Sequence, residues 1–243
     1  DDELVARAHR TDQPDPVLIA PNGKHEFFSS LIGDKREETN SVPDRWRPVA
    51  LSALTDHATS VEWVWEQFLA KGHVTDFYAL WKSGKTTLVA ALLQQMAHGG
   101  ELAGRTVRPG KALVVSEEPP VKWAERRDTL GLGDHVHLIA RPFPKRPNHA
   151  EWLAFTQYVA RLVTEQGYAL VVFDALPTLW PVRDENDASE TVSALLPLQA
   201  IATAGAAVLL VRHPRKSDGS QGTAGRGSGA IAGFVDVIIE MRR

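Results

Sequence analysis

Ala79-Leu80-Trp81-Lys82-Ser83-Gly84-Lys85-Thr86-Thr87 decides how this chain folds. The stretch matches the phosphate-binding pattern G-x-x-x-x-G-K-[ST], except that Ala79 stands at the first glycine. Each conserved element of the pattern has a physical task. Gly84 lets the backbone curl around an anion, successive N–H groups and a helix N-terminus face the phosphates, Lys85 reaches the outer oxygens, and the Thr86 hydroxyl is suited to Mg²⁺. Such a loop needs a strand before it and a helix after it. His73 to Leu80 is short, β-branched and aromatic, as a buried strand is, while Leu88, Val89, Leu92, Leu93 and Met96 repeat on one face of a helix over 85–98.

Working outward, the alternation continues. Strands are expected at 112–115, 136–140, 170–173, 206–211 and 237–239, with helices at 121–130 (closed by Gly131), 150–166 and 191–204, the last kinked at Pro197. Uninterrupted apolar strands such as Leu170-Val171-Val172-Phe173 belong to a parallel sheet covered on both faces, so the fold class is α/β with a mostly parallel, doubly wound sheet. Upstream, Val61, Trp63, Val64 and Phe68 have helix-like spacing and Gly72 supplies a stop, so a helix is expected there. Residues 1–59, rich in proline and charge, read as an arm or linker, and residues 60–243 as the globular domain.

Composition limits the partners. The 243 residues carry 30 acidic and 27 basic side chains and no Cys, which excludes disulfides and thiolate metal sites and fits a reducing cytoplasm. The apolar fraction of 43% supports a sizeable core, and no run is long enough to cross a bilayer, so no membrane role is expected. A net charge of -3 gives the whole chain no basic field, but residues 212–243 hold six Arg or Lys against three acids, so any polyanion contact is expected there.

Two further blocks carry chemistry. Asp174 closes the 170–173 strand, where a carboxylate on a strand neighbouring the phosphate loop would hold the metal. Glu117 and Glu118 end the 112–115 strand, and a carboxylate there can orient and deprotonate the water that attacks a γ-phosphate. Glu117 is favoured, because successive residues at a strand end face different ways.

Four blocks in order, Leu80–Thr87, Val114–Arg127, Leu170–Asp174 and Val208–Asp236, resemble the RecA-like P-loop ATPases, and within them the RepA-type replicative hexameric helicases, with KaiC-type and DnaB-type relatives. The resemblance covers roughly residues 60–243. It implies ATP and Mg²⁺ as ligands, Ser83, Gly84, Lys85, Thr86 and Thr87 around the phosphates, and Thr86 with Asp174 at the metal. Ser116-Glu117-Glu118-Pro119-Pro120 looks like the family's acidic-acidic-proline motif, which gives Glu117 the role of general base. Arg212-His213-Pro214-Arg215-Lys216 stands where the family has His-His-x-x-Lys. The first His is lost; His213 keeps the second, which in such proteins senses the γ-phosphate. The Gly-flanked Arg226 resembles an arginine finger supplied to a neighbouring subunit, and the segments Leu176–Asp187 and Pro214–Gly225 correspond to loops that line a central channel.

The resemblance therefore implies a homo-oligomeric ring, a hexamer, acting on single-stranded DNA as a replication or repair helicase. Two alternatives stay open at this point: a KaiC-like ATP-driven switch that binds proteins, and a monomeric small-molecule P-loop kinase, disfavoured because no Arg-rich lid is visible. His135 and His137 have no carboxylate constellation around them and are expected to be structural.

Overall fold

A computed structural model describes residues 47–53, 60–213 and 229–242. The chain divides into two units, residues 1–55 and 56–243. Of the first, the described part holds one turn of 3-10 helix, Leu51–Ala53, with its side chains exposed.

The second unit is built on six parallel strands. In chain order the elements are β1 (Trp63–Trp65), β2 (Leu69–Ala70), β3 (Val74–Ala79), α1 (Lys85–Gln95), β4 (Gly100–Leu102), β5 (Arg105–Val107), β6 (Lys111–Ser116), α2 (Pro120–Leu130), β7 (Val136–Ala140), α3 (His149–Gln166), β8 (Tyr168–Asp174), α4 (Leu176–Leu179), α5 (Ala188–Thr203), β9 (Ala207–Arg212), α6 (Ala230–Phe234) and β10 (Val237–Met241). The main sheet has the order β10-β3-β9-β8-β6-β7, and each pair in it is parallel. Parallel neighbours need crossovers, and the helices supply them on both faces.

Strand alternation divides the core in two. Val74, Leu113, Val115, Val171, Phe173 and Leu210 point to the face covered by α3 and α5, where Trp152 is fully buried and its indole N–H donates to the Ala194 carbonyl at 2.8 Å. Phe77, Val114, Leu170, Val172, Leu209 and Val211 point to the face covered by α1 and α2. Each fully buried Leu, Val or Phe contributes about 1.5–3 kcal/mol, so the two layers dominate the stability of the domain. Local signals set the helix ends: Asn148 and Glu151 form a reciprocal capping box at the start of α3, and Gly131 closes α2 in the left-handed conformation at φ 65°. Helix α5 runs through Pro197.

The sequence-based expectation of a helix after Ser60 is overturned. Trp63 pairs with Ala70 and Trp65 with Leu69 in a short antiparallel hairpin, Gln67 sits in its turn at φ 65°, and β1 also pairs with β5, giving a small sheet of order β2-β1-β5-β4. Aromatic side chains explain the change: Trp65 and Phe68 pack ring to ring at 4.5 Å, and Val64, Trp65 and Leu69 join the core on the α1 side. The β4–β5 hairpin had no expectation at all.

Candidate functional site

All six strands of the main sheet run the same way, so the ends of β3, β6, β8 and β9 share one edge. The loop after β3 carries Lys82 at φ 55° and Gly84 at φ 97°, and Gly84 also begins α1 without any side-chain cap. The first N–H groups of that helix are therefore left for an anion. Ala79, where the motif has glycine, is the last residue of β3 and is buried; its backbone is not left-handed, so a side chain is tolerated there.

Lys85 is only 4% exposed. Its ammonium donates to the Ala79 carbonyl at 2.7 Å and the Leu80 carbonyl at 2.9 Å, so the loop's own oxygens hold it. Burial lowers its proton affinity, and the nearby Asp174 works against that. Asp174, at the end of β8, is pushed up to about 6: burial raises it, a hydrogen bond from Thr86 opposes, and the negative charges of Glu118 and Glu117 add to the rise. The sequence reading set Asp174 on a strand neighbouring the phosphate loop. The sheet order corrects this, because β9 lies between β3 and β8.

Glu117 and Glu118 sit at the end of β6, beside β8, where the Glu117 N–H donates to the Asp174 carbonyl at 3.0 Å. The two side chains have different surroundings. Glu118 is held in a two-pronged ion pair by Arg126, whose guanidinium also lies 4.8 Å over the Trp123 ring. Glu117 is half-buried, and among the described residues its carboxylate has no ion pair or hydrogen bond. It is the freer of the two carboxylates.

His213 follows β9, and its ring stacks on Trp81 of the phosphate loop with centroids 3.9 Å apart and planes within 7°. Burial, and then the positive charge of Lys85, lower its proton affinity.

Among the described residues, four buried side-chain polar atoms have no hydrogen-bond partner: Ser83 Oγ, Asp174 Oδ2, His213 Nδ1 and Trp123 Nε1. Three of the four belong to this one edge, from the loop after β3, the end of β8 and the end of β9. A buried polar atom without a partner costs about 1–3 kcal/mol, so their convergence marks where a polar ligand belongs. The Thr86 hydroxyl and the unpartnered Asp174 oxygen are hard oxygen donors that fit Mg²⁺.

Sequence reasoning missed the element that braces this edge. Arg212 is buried, and its guanidinium forks onto Asp76 of β3, Nε to Oδ1 at 2.7 Å and a terminal nitrogen to Oδ2 at 2.6 Å, with the other terminal nitrogen 3.3 Å from Glu185. Burial works against the guanidinium charge, but the bonds and attraction of Asp76, then Glu185, outweigh it and raise its pKa. Arg212 thus ties β3, β9 and the segment after α4 together. Asp76→Ala is expected to lower unfolding stability by about 3 kcal/mol, because it removes both bonds of the fork and leaves the buried guanidinium only the longer contact with Glu185. Urea unfolding checks this, and a midpoint equal to wild type would exclude the brace.

His135 and His137 hydrogen-bond within the fold, to the Leu93 carbonyl and the Tyr168 hydroxyl respectively. Arg215, Lys216 and Arg226 lie outside the described residues, as does most of the Gly-rich segment around Arg226. No described helix is long and apolar enough to cross a membrane.

Comparison with curated proteins finds no match for this chain. A family model described as an AAA domain matches residues 40–219, about three quarters of the sequence, and that span contains the phosphate loop, Glu117, Asp174 and His213. With a six-stranded parallel sheet of the RecA-like P-loop type and a nucleotide-binding loop at its edge, the chain belongs to the AAA domain family and is a P-loop ATPase.

Proposed function

We propose that this ATPase is a ring-forming motor that acts on DNA, a helicase or translocase of replication or repair in the RepA-type branch, with residues 60–243 as its motor domain and 1–59 as an arm. The convergence of the unpartnered Ser83, Asp174 and His213 atoms with an unpaired Glu117 is the observation that supports the catalytic half of this reading.

In it, the loop from Ser83 to Thr87 wraps the phosphates, and Lys85 exchanges its two carbonyl partners for phosphate oxygens. Thr86 and Asp174 hold Mg²⁺, which when bound neutralises charge on the phosphates. Glu117 accepts a proton from the water whose oxygen bonds to the γ-phosphorus as the bond to the β-phosphate oxygen breaks; ADP and phosphate leave. Glu118 is unsuited to that role because Arg126 occupies it. His213 senses the γ-phosphate, and Arg226 reaches the site of an adjacent subunit.

The DNA half draws support from charge at the same sheet edge. Lys145, Arg146 and Arg183 line an open cleft of about 520 Å³ between the segments that follow β7 and α4. Within it Glu151 caps α3, Glu190 accepts from the Arg183 and Asp184 N–H groups, and Arg146 donates to the Trp180 and Val182 carbonyls.

The test is ATPase rate with and without single-stranded DNA on an oligomer of measured size. A ring whose turnover rises with DNA is expected, and Arg215→Ala with Lys216→Ala should weaken DNA binding, and its fall with added salt, without altering basal hydrolysis. A wild-type assembly that hydrolyses ATP yet ignores DNA at low salt would favour the KaiC-like switch.

A further inference from the structure

Trp81 is 60% exposed in the phosphate loop, so it has no packing role that would account for its size. Its indole instead lies flat on the His213 imidazole. On its other side in the chain, the peptide that joins Leu80 to Trp81 presents the carbonyl that Lys85 grips at 2.9 Å. When phosphate oxygens draw the Lys85 ammonium away, that carbonyl keeps only the Ser83 N–H, a longer contact of 3.3 Å. The peptide carrying Trp81 is then free to turn. His213 has less freedom at its backbone, because Arg212 before it is clamped to Asp76. The movable parts are the two stacked rings.

We propose that Trp81 is a positioning residue that relays phosphate capture by Lys85 to His213, holding the imidazole flat on the loop until Lys85 leaves the Leu80 carbonyl. The proposal rests on the reading of His213 as the phosphate sensor and adds the part by which the sensor is set. The two rings stack face to face with centroids 3.9 Å apart, a contact that holds the imidazole while Lys85 stays in the loop.

The experiment uses the full chain and two readouts. In steady-state ATPase assays, Trp81→Ala should lower kcat about tenfold and leave KM within about threefold, because an imidazole no longer preset on the loop must be oriented after ATP binds, in the step that sets kcat. Trp81→Phe, which keeps an aromatic face, should recover most of the rate. Combining Trp81→Ala with His213→Ala should cost no more than His213→Ala alone, since both act through one ring. In the second readout, the Trp81 emission, taken as wild type minus Trp81→Phe, should change when ADP or a non-hydrolysable ATP analogue is added, and Lys85→Ala should abolish that change. If His213→Ala turns over like wild type, the sensor reading fails and the relay with it. If His213→Ala is slow while Trp81→Ala is not, or their losses multiply, or Trp81 emission ignores nucleotide, the relay alone is overturned.

Discussion

Glu117→Gln should bind ATP and leave it uncleaved. The substitution keeps the size of the side chain and its hydrogen-bonding capacity but removes the only role a carboxylate can fill there, acceptance of a proton. General-base catalysis is worth about 10²–10⁴ in rate, so turnover should fall by that factor while nucleotide affinity holds. The neighbouring residue supplies the control. Glu118 is committed to Arg126, and Glu118→Gln removes one charge from an ion pair whose members are partly exposed, so it should cost far less. Measured side by side, the two variants separate the carboxylates; wild-type turnover in Glu117→Gln together with an inactive Glu118→Gln would reverse the assignment.

Arg226→Ala is expected to have an effect at least as large. An arginine finger stabilises charge on a γ-phosphate held by another chain and is worth about 10³–10⁵ in rate in P-loop enzymes. The variant should therefore bind ATP and fail to hydrolyse it. Mixed rings test the action in trans: an Arg226→Ala subunit retains Lys85, Asp174 and Glu117, and a Lys85→Ala subunit retains its finger. Mixing the two inactive proteins should restore part of the turnover once subunit exchange is shown by labelling. Zero activity after exchange, or full activity in Arg226→Ala alone, would remove the finger and with it the strongest sequence argument for a ring.

The main sheet was legible because its strands are continuous apolar runs bounded by turn residues, and burial on both faces admits little else: Val74–Ala79, Lys111–Ser116 and Tyr168–Asp174 lie where the runs place them. The region from 61 to 72 was not, because five apolar residues over the eight positions 61–68 fit helix and hairpin alike. What decides between them is the partner strand, Arg105–Val107, forty residues away. The site divides along the same line. Lys85, Thr86 and Asp174 announce themselves through local pattern. Asp76 does not, since its partner Arg212 is 136 positions distant and a lone acid inside an apolar strand has no pattern. The contrast between Glu117 and Glu118 likewise needed the position of Arg126, two turns into the following helix.

One strand, β9, stands between the strand that leads into the phosphate loop and the strand that ends in Asp174. Two interstrand spacings separate those strand ends, about 9.5 Å, and the phosphate loop spans that gap, since Thr86, next to Lys85, hydrogen-bonds Asp174. Lys85 and Asp174 feel each other's charge across it, while the Lys85 ammonium is held by the Ala79 and Leu80 carbonyls. A ligand that carries several linked phosphates and a cation is therefore expected to engage Lys85 and Asp174 together, the phosphates on the loop and the cation on the carboxylate.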